Sequence, residues 1–370
     1  MLHANRNIIC ASDPYAPIFK AYRNHFATGM IQPFDCESPL HDYYFDKSQN
    51  DLFRKMQSES FDIPLRRGFI GDIVPKIIKH SELFSPLLHD CLHLLTGGTF
   101  RELFQSGLHV IENAYRKGSA QAIGFKEVWV GEFATHFLGI AKEAKVIHVV
   151  RDPRAVVASN FVSGVIYPLL FLTRQWRKQA SLAWLGATKS EKIKVIRFED
   201  LISSPEMIAR DICEFIGVQF DDKMIDTTNL TDGAGKPWHQ NSSYQDSMSV
   251  AKRQRQAFNL AAVENWQSVL PEQYVSAIEK LCYFEMKLFR YQFICDNSNH
   301  HNLDKELLFE DDDSRFADWI RPYSYYNYVK EMAAENFRHD LMLRRLHLNE
   351  NVETLLALDP AIYTELVFRN

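Results

Sequence analysis

The sequence lacks any apolar run long enough to cross a membrane. The longest, near Val165 to Leu172, falls well short of the roughly 20 residues a spanning helix needs and runs into Arg174 and Arg177. Residues 1–20 lack the apolar core of a secretory leader. There is no C-x-x-C pair. The six cysteines (Cys10, Cys36, Cys91, Cys213, Cys282, Cys295) are scattered, which reads as ordinary thiols in a reducing compartment, and the expected location is cytoplasmic. Positive charge is not in excess: Lys and Arg total 42 against 47 Asp and Glu, a formal net charge of −5. Non-specific nucleic-acid binding is therefore not expected, and a basic site for an anionic ligand has to be local. No G-x-x-x-x-G-K-[ST] phosphate loop stands anywhere in the chain, and no internal repeat is visible.

What is present is enough apolar material, 46% of 370 residues, for one large α/β domain with an appendage or for two domains. Short β-rich runs at Gln121–Phe125, Lys145–Val150 and Lys194–Phe198 predict buried parallel strands, the first two in one sheet, and Asn7–Ala11 is a fourth candidate. Helical patterns separate them. Phe100, Leu103, Phe104, Leu108, Ile111 and Tyr115 share a face with Gly118 as the stop. Pro205 to Ile216 is bounded by Ser203 or Ser204 and Gly217. Alternating strands and helices imply a mostly parallel sheet with helices on both faces, and ligands bind beyond the carboxyl ends of such strands. Residues 36–99, extended by the next helix to 36–120, form a mainly helical insertion suited to covering a substrate. Helical pattern resumes near Ala261 and continues to Tyr291. Residues 1–295 read as the α/β domain and 296–370 as a helical C-terminal extension with an acidic cluster at Glu310–Asp313.

The segment VIHVVRDPRAVVAS, Val146 to Ser159, carries the clearest chemistry. Arg151 stands at the end of a strand, Asp152-Pro153 opens a helix, and Ser159 lies eight residues after Arg151, about two turns along. A guanidinium fork and a hydroxyl aimed from one strand–helix corner suit a phosphate; a structural Arg–Asp turn is the alternative.

This segment resembles the 3'-phosphate-binding motif of the sulfotransferases that use 3'-phosphoadenosine 5'-phosphosulfate (PAPS). Arg151 and Ser159 match the two phosphate ligands. VIRFEDLISSPEMIARDICEFIGVQF, Val195 to Phe220, resembles the family's second block, with Phe198 where a tyrosine near the adenosine is usual. Trp176 matches the aromatic on the intervening helix. GKPWHQNSS, Gly235 to Ser243, resembles a late cofactor-covering loop, in which Lys236, Asn241 and Ser242 would reach the 3'-phosphate or nucleotide. The opening MLHANRNIICASDPY resembles the stretch following the family's phosphosulfate loop, nearest to the tyrosylprotein branch. There Asp13 aligns with the general base, as Asp rather than Glu, and Tyr15 replaces an arginine. The plain structural reading of Asp13 is an Asx-type turn before Pro14.

The resemblance implies a P-loop-like α/β fold whose first strand and phosphate loop are missing from these residues. It implies sulfuryl transfer from PAPS to a hydroxyl acceptor, whether a sugar, a polypeptide tyrosine or a small metabolite, without a metal. Without the loop's donors, these 370 residues alone are expected to show no appreciable transfer. A nucleotide-binding pseudoenzyme of the same fold is the alternative, and a P-loop kinase relative a weaker one. Three lesser features stand outside this reading. His89 and His93 have zinc-like spacing but no third ligand. Lys126-Glu127 sit at a strand's carboxyl end, as substrate-facing residues or as a structural pair. Asn229 and Asn241 lie in N-x-[ST] sequons of a kind common by chance.

Overall fold

The computed structural model describes residues 1–26, 55–162, 169–237, 258–295 and 335. In chain order the elements are β1 (Ile8–Ser12), α1 (Ala16–Phe26), α2 (Phe69–Ser81), a 3-10 stretch (Pro86–Leu94), α3 (Phe100–Tyr115), β2 (Ala122–Lys126), α4 (Ala134–Leu138), β3 (Val146–Val150), α5 (Pro153–Val162), α6 (Leu169–Lys189), β4 (Ile193–Arg197), α7 (Phe198–Ser203) and α8 (Pro205–Ile216). Four short helices follow, α9 (Ala261–Glu264), α10 (Trp266–Val269), α11 (Glu272–Leu281) and α12 (Tyr283–Leu288). All four expected strands are present, each with its bounds within one residue of the reading from sequence.

The expectation that β2 and β3 share one sheet is not met among the described residues. β1 pairs with β2 in parallel, Ile8 opposite Ala122 through Ser12 opposite Lys126. β3 pairs with β4 in parallel, Val146 opposite Ile193 through Val150 opposite Arg197. Among the described residues these are two separate two-stranded sheets. Side chains join the halves instead. Gln179 of α6 accepts from the Gly131 N–H at 2.7 Å, and Glu132, in the turn between β2 and α4, accepts from Gln179 at 3.0 Å and pairs with Lys178 at 3.4 Å, both charges fully buried. Hydrophobic patterning reveals a strand but not which edge it presents, so the neighbour was not readable from sequence.

Helix ends follow local rules. Thr99 caps α3 by accepting the Glu102 N–H at 3.2 Å, while Glu102 reaches back to the Gly98 N–H at 2.6 Å. That helix stops at Arg116, in left-handed conformation with φ 39°, two residues before the expected Gly118. Gly217 closes α8 at φ 90° and donates to Cys213 and Glu214, as its sequence position implies. The Ala261–Tyr291 stretch is not continuous: it breaks at Asn265, Pro271 and Cys282. His89 and His93 fall on the 3-10 stretch and have local partners, Ser81 Oγ at 3.1 Å and the Asp90 carbonyl at 2.8 Å. Of the expected 296–370 extension only Glu335, in helical conformation, lies within the described residues.

Candidate functional site

Both parallel pairs end at a corner carrying candidate site residues. At the β1–β2 corner the backbone of Asp13 turns left-handed (φ 48°), a conformation that a non-glycine residue keeps only when its surroundings hold it. Its N–H extends the ladder by donating to the Lys126 carbonyl at 2.7 Å, and its Oδ2 pairs with Lys126 Nζ at 2.6 Å. The carboxylate is buried, and among the described residues no donor reaches Oδ1. Next to it, Glu127 Oε1 accepts the Tyr15 N–H. Burial pushes the Glu127 carboxyl above the ordinary carboxylate range, aided by the charge of Asp13 and opposed by His80 and the Tyr15 N–H. His80 of α2 brings Nε2 to 3.8 Å from Glu127 Oε2. Sequence reasoning singled out Asp13, Lys126 and Glu127 but missed His80, which stands in no motif and arrives from the insertion 46 residues or more away from both strand ends.

The β3–β4 corner separates the two arginines of RDPR. Arg154 is sealed into the structure: it bonds Asp152 (2.6 Å) and Glu279 of α11 (2.5 Å) and lies over the Trp266 ring at 4.1 Å. Arg151 keeps part of its guanidinium open. Nη2 donates to the Ala262 carbonyl at 2.6 Å and the group lies 4.8 Å over the Phe198 ring, while Nε is buried with no partner among the described residues. Burial pushes its basicity below the usual arginine value. Trp176 Nε1 holds the Arg151 carbonyl at 2.7 Å, and Glu199 accepts the Asp152 N–H at 2.8 Å. Ser159 is half-buried, two turns along α5.

Arg151 and Phe198 are thus brought together. Lys236 belongs to a turn held by Asp232, whose carboxylate accepts the N–H groups of Ala234 and Lys236 at 2.9 Å each. That turn packs on the other half: Tyr115 donates to the Gly233 carbonyl at 3.1 Å, and a Cβ at Gly233 would overlap the Phe84 carbonyl oxygen, so only glycine fits. Asn241 and Ser242 lie outside the described residues. Among the described residues no group of three or more His, Cys, Asp or Glu could hold a metal, and no helix is long and apolar enough to cross a membrane.

Residues 104–222 match the model of the sulfotransferase family, and residues 170–290 match that of the sulfotransferase domain. Carbohydrate sulfotransferase 2 of Mus musculus and of Homo sapiens are each 26% identical over 289 residues, covering 65% of this chain and 52% of theirs. The chain therefore spans about half the length of the curated relatives it matches. Two solved structures superpose over 78% of the chain. They are the sulfotransferase domain from the curacin biosynthetic pathway (13% identity, 98% of that chain, TM-score 0.37) and that of the Synechococcus PCC 7002 olefin synthase (16%, 94%, TM-score 0.40). The first match takes in RDPR, both share the β4–α8 block, and together they run from residue 104 to residue 290, half of the chain; by them this chain belongs to the sulfotransferase family.

Proposed function

We propose that this protein transfers a sulfuryl group from PAPS to a hydroxyl acceptor, with a sugar as the acceptor class. The observation that carries the reading is the Arg151 guanidinium: it sits past the carboxyl end of β3, stacks on Phe198, and keeps a buried Nε–H without an acceptor among the described residues. A buried charged donor left unmatched among them suits an anion supplied by a ligand. In this reading Arg151 and Ser159 hold the 3'-phosphate, Phe198 lies near the adenosine, and Lys236, Asn241 and Ser242 close over the nucleotide. Asp13 takes the acceptor's proton. The acceptor oxygen forms a bond to sulfur while the bond from sulfur to the 5'-phosphate oxygen breaks, leaving its electron pair on adenosine 3',5'-bisphosphate. Family membership supports PAPS as donor, and the name of the mouse and human relatives supports a carbohydrate acceptor. Binding to the distant 3'-phosphate positions the reacting sulfur, so its loss lowers rate as well as affinity.

The test is competition. PAPS and adenosine 3',5'-bisphosphate should displace each other from one site that adenosine occupies far more weakly. Absence of nucleotide binding, or equal binding of adenosine, overturns the reading. Where label from PAPS reaches a sugar hydroxyl, Asp13→Asn should abolish it; label that survives the substitution removes Asp13 from the chemistry. Nucleotide binding with no labelled acceptor in a broad panel leaves the nucleotide-binding pseudoenzyme.

A further inference from the structure

We propose that Glu127 and His80 are a positioning pair for Asp13, sharing one proton that locks the turn after β1 and couples it to helix α2 of the insertion. The inference rests on the reading of Asp13 as the base and adds the device that holds it.

Backbone accounting comes first. The turn Asp13-Pro14-Tyr15 has two N–H groups, since proline has none. The end of β2 takes both: the Lys126 carbonyl accepts from Asp13 at 2.7 Å, and the Glu127 carboxyl accepts from Tyr15. The left-handed backbone of Asp13 is therefore fixed on one side by the ladder and on the other by a single carboxyl group. That group sits at the start of α1, where the helix N-terminus favours a negative oxygen.

The second oxygen is the clue. Among the described residues Glu127 Oε2 is buried without a hydrogen-bond partner, and so is His80 Nε2, yet the two atoms face each other at 3.8 Å. Closure by about 0.6–1 Å makes them donor and acceptor, provided one proton lies between them. A bare pair with no proton would leave two acceptors facing each other in a buried space. The groups facing Glu127 are Asp13 from β1, Lys126 beside it on β2, His80 from α2 and the Tyr15 N–H. Lys126 is committed to Asp13, so His80 is left to balance Glu127. Burial and the Asp13 charge both favour the protonated Glu127, in keeping with a shared proton. The His80 side chain is 32% exposed against 1% for Glu127, which makes His80 the member that exchanges with solvent.

The experiment is a pH titration of the full chain by NMR, following the Tyr15 amide proton and the carbon-bound ring proton of His80. Both signals should move in one common step. In E127Q, which keeps an acceptor for the Tyr15 N–H, the amide should no longer follow the ring. Separate steps for the two signals in the wild type, or an amide titration unchanged in E127Q, overturn the proposal. The readout requires no turnover, so failure of the sulfuryl-transfer reading appears separately, in the nucleotide competition.

Discussion

The β1–β2 half and the β3–β4 half are held together by different physics. Around β1 the core is aromatic. Phe19 packs on Phe104 at 4.7 Å and Phe133 at 5.0 Å, Phe61 on Phe104 at 4.8 Å, and Tyr22 on Phe61 at 4.8 Å. Around β3 and α6 the packing includes buried charge: Arg154 with Asp152 and Glu279, and Arg174 and Arg177 clasping Glu335 at 2.8 Å and 2.5 Å. Ring packing tolerates small shifts and is indifferent to pH. Buried ion pairs gain little net stability, but they permit few alternative arrangements, because any misplacement strands a charge. The half that holds Arg151 is the half built this way. Arg154, three residues on, is fixed by carboxylates, and Trp176, on the same helix as Arg174 and Arg177, holds the Arg151 carbonyl. In the proposed reading the aromatic half carries Asp13 with its positioning pair Glu127 and His80, and the ionic half carries the anion anchor Arg151.

The comparison breaks most visibly at Glu279. Glu279→Ala takes one of its two carboxylate partners from Arg154 and leaves the N–H groups of Ile294 and Cys295 without their acceptor, a loss of about 3–5 kcal/mol by urea denaturation. Replacing Asp152, Arg154 and Glu279 together by apolar residues of similar size, which removes the whole buried charge group, should recover part of it. Phe104→Ala in the other half should cost a similar ~3–5 kcal/mol through a cavity, with no partner whose removal recovers it. A triple replacement no better than Glu279→Ala would mean that the buried charges are not the controlling feature.

A smaller effect comes from His148 on β3, whose burial pushes its imidazole down to about 4. The folded chain keeps this ring neutral, while the unfolded chain takes up a proton below about pH 6.5. Its contribution is therefore present above pH 6.5 and is lost as pH falls to about 4, by up to ~3 kcal/mol. His148→Leu should flatten that part of the stability–pH curve; an unchanged slope would refute the assignment. The smallest effect sits in the aromatic half: Thr99→Ala removes the cap of α3 at a cost of about 1 kcal/mol, independent of pH.

Strands, the bounds of α8 and the strand-end arginine were legible in the sequence because each depends on local pattern: β-rich runs, Pro205 with Gly217, and Arg151 before Asp152-Pro153. The pairing partners of β2 and β3 were not, because a strand's apolar pattern says nothing of its neighbour. His80 was invisible for the same reason, since its role arises only when α2 folds over the β1–β2 corner. The different fates of Arg151 and Arg154 were also hidden, because the carboxylate that seals Arg154 comes from Glu279, 125 residues away.

The most direct measurement is calorimetric binding of adenosine 3',5'-bisphosphate and of adenosine to the wild type and to Arg151→Ala. The lost contact is a charge-assisted hydrogen bond worth ~1.5–3 kcal/mol, so the bisphosphate should weaken by about 10- to 100-fold. Adenosine, which lacks the phosphate, should bind both proteins alike. Equal weakening of the two ligands, or no change for the bisphosphate, would contradict the placement of the nucleotide's phosphate on Arg151.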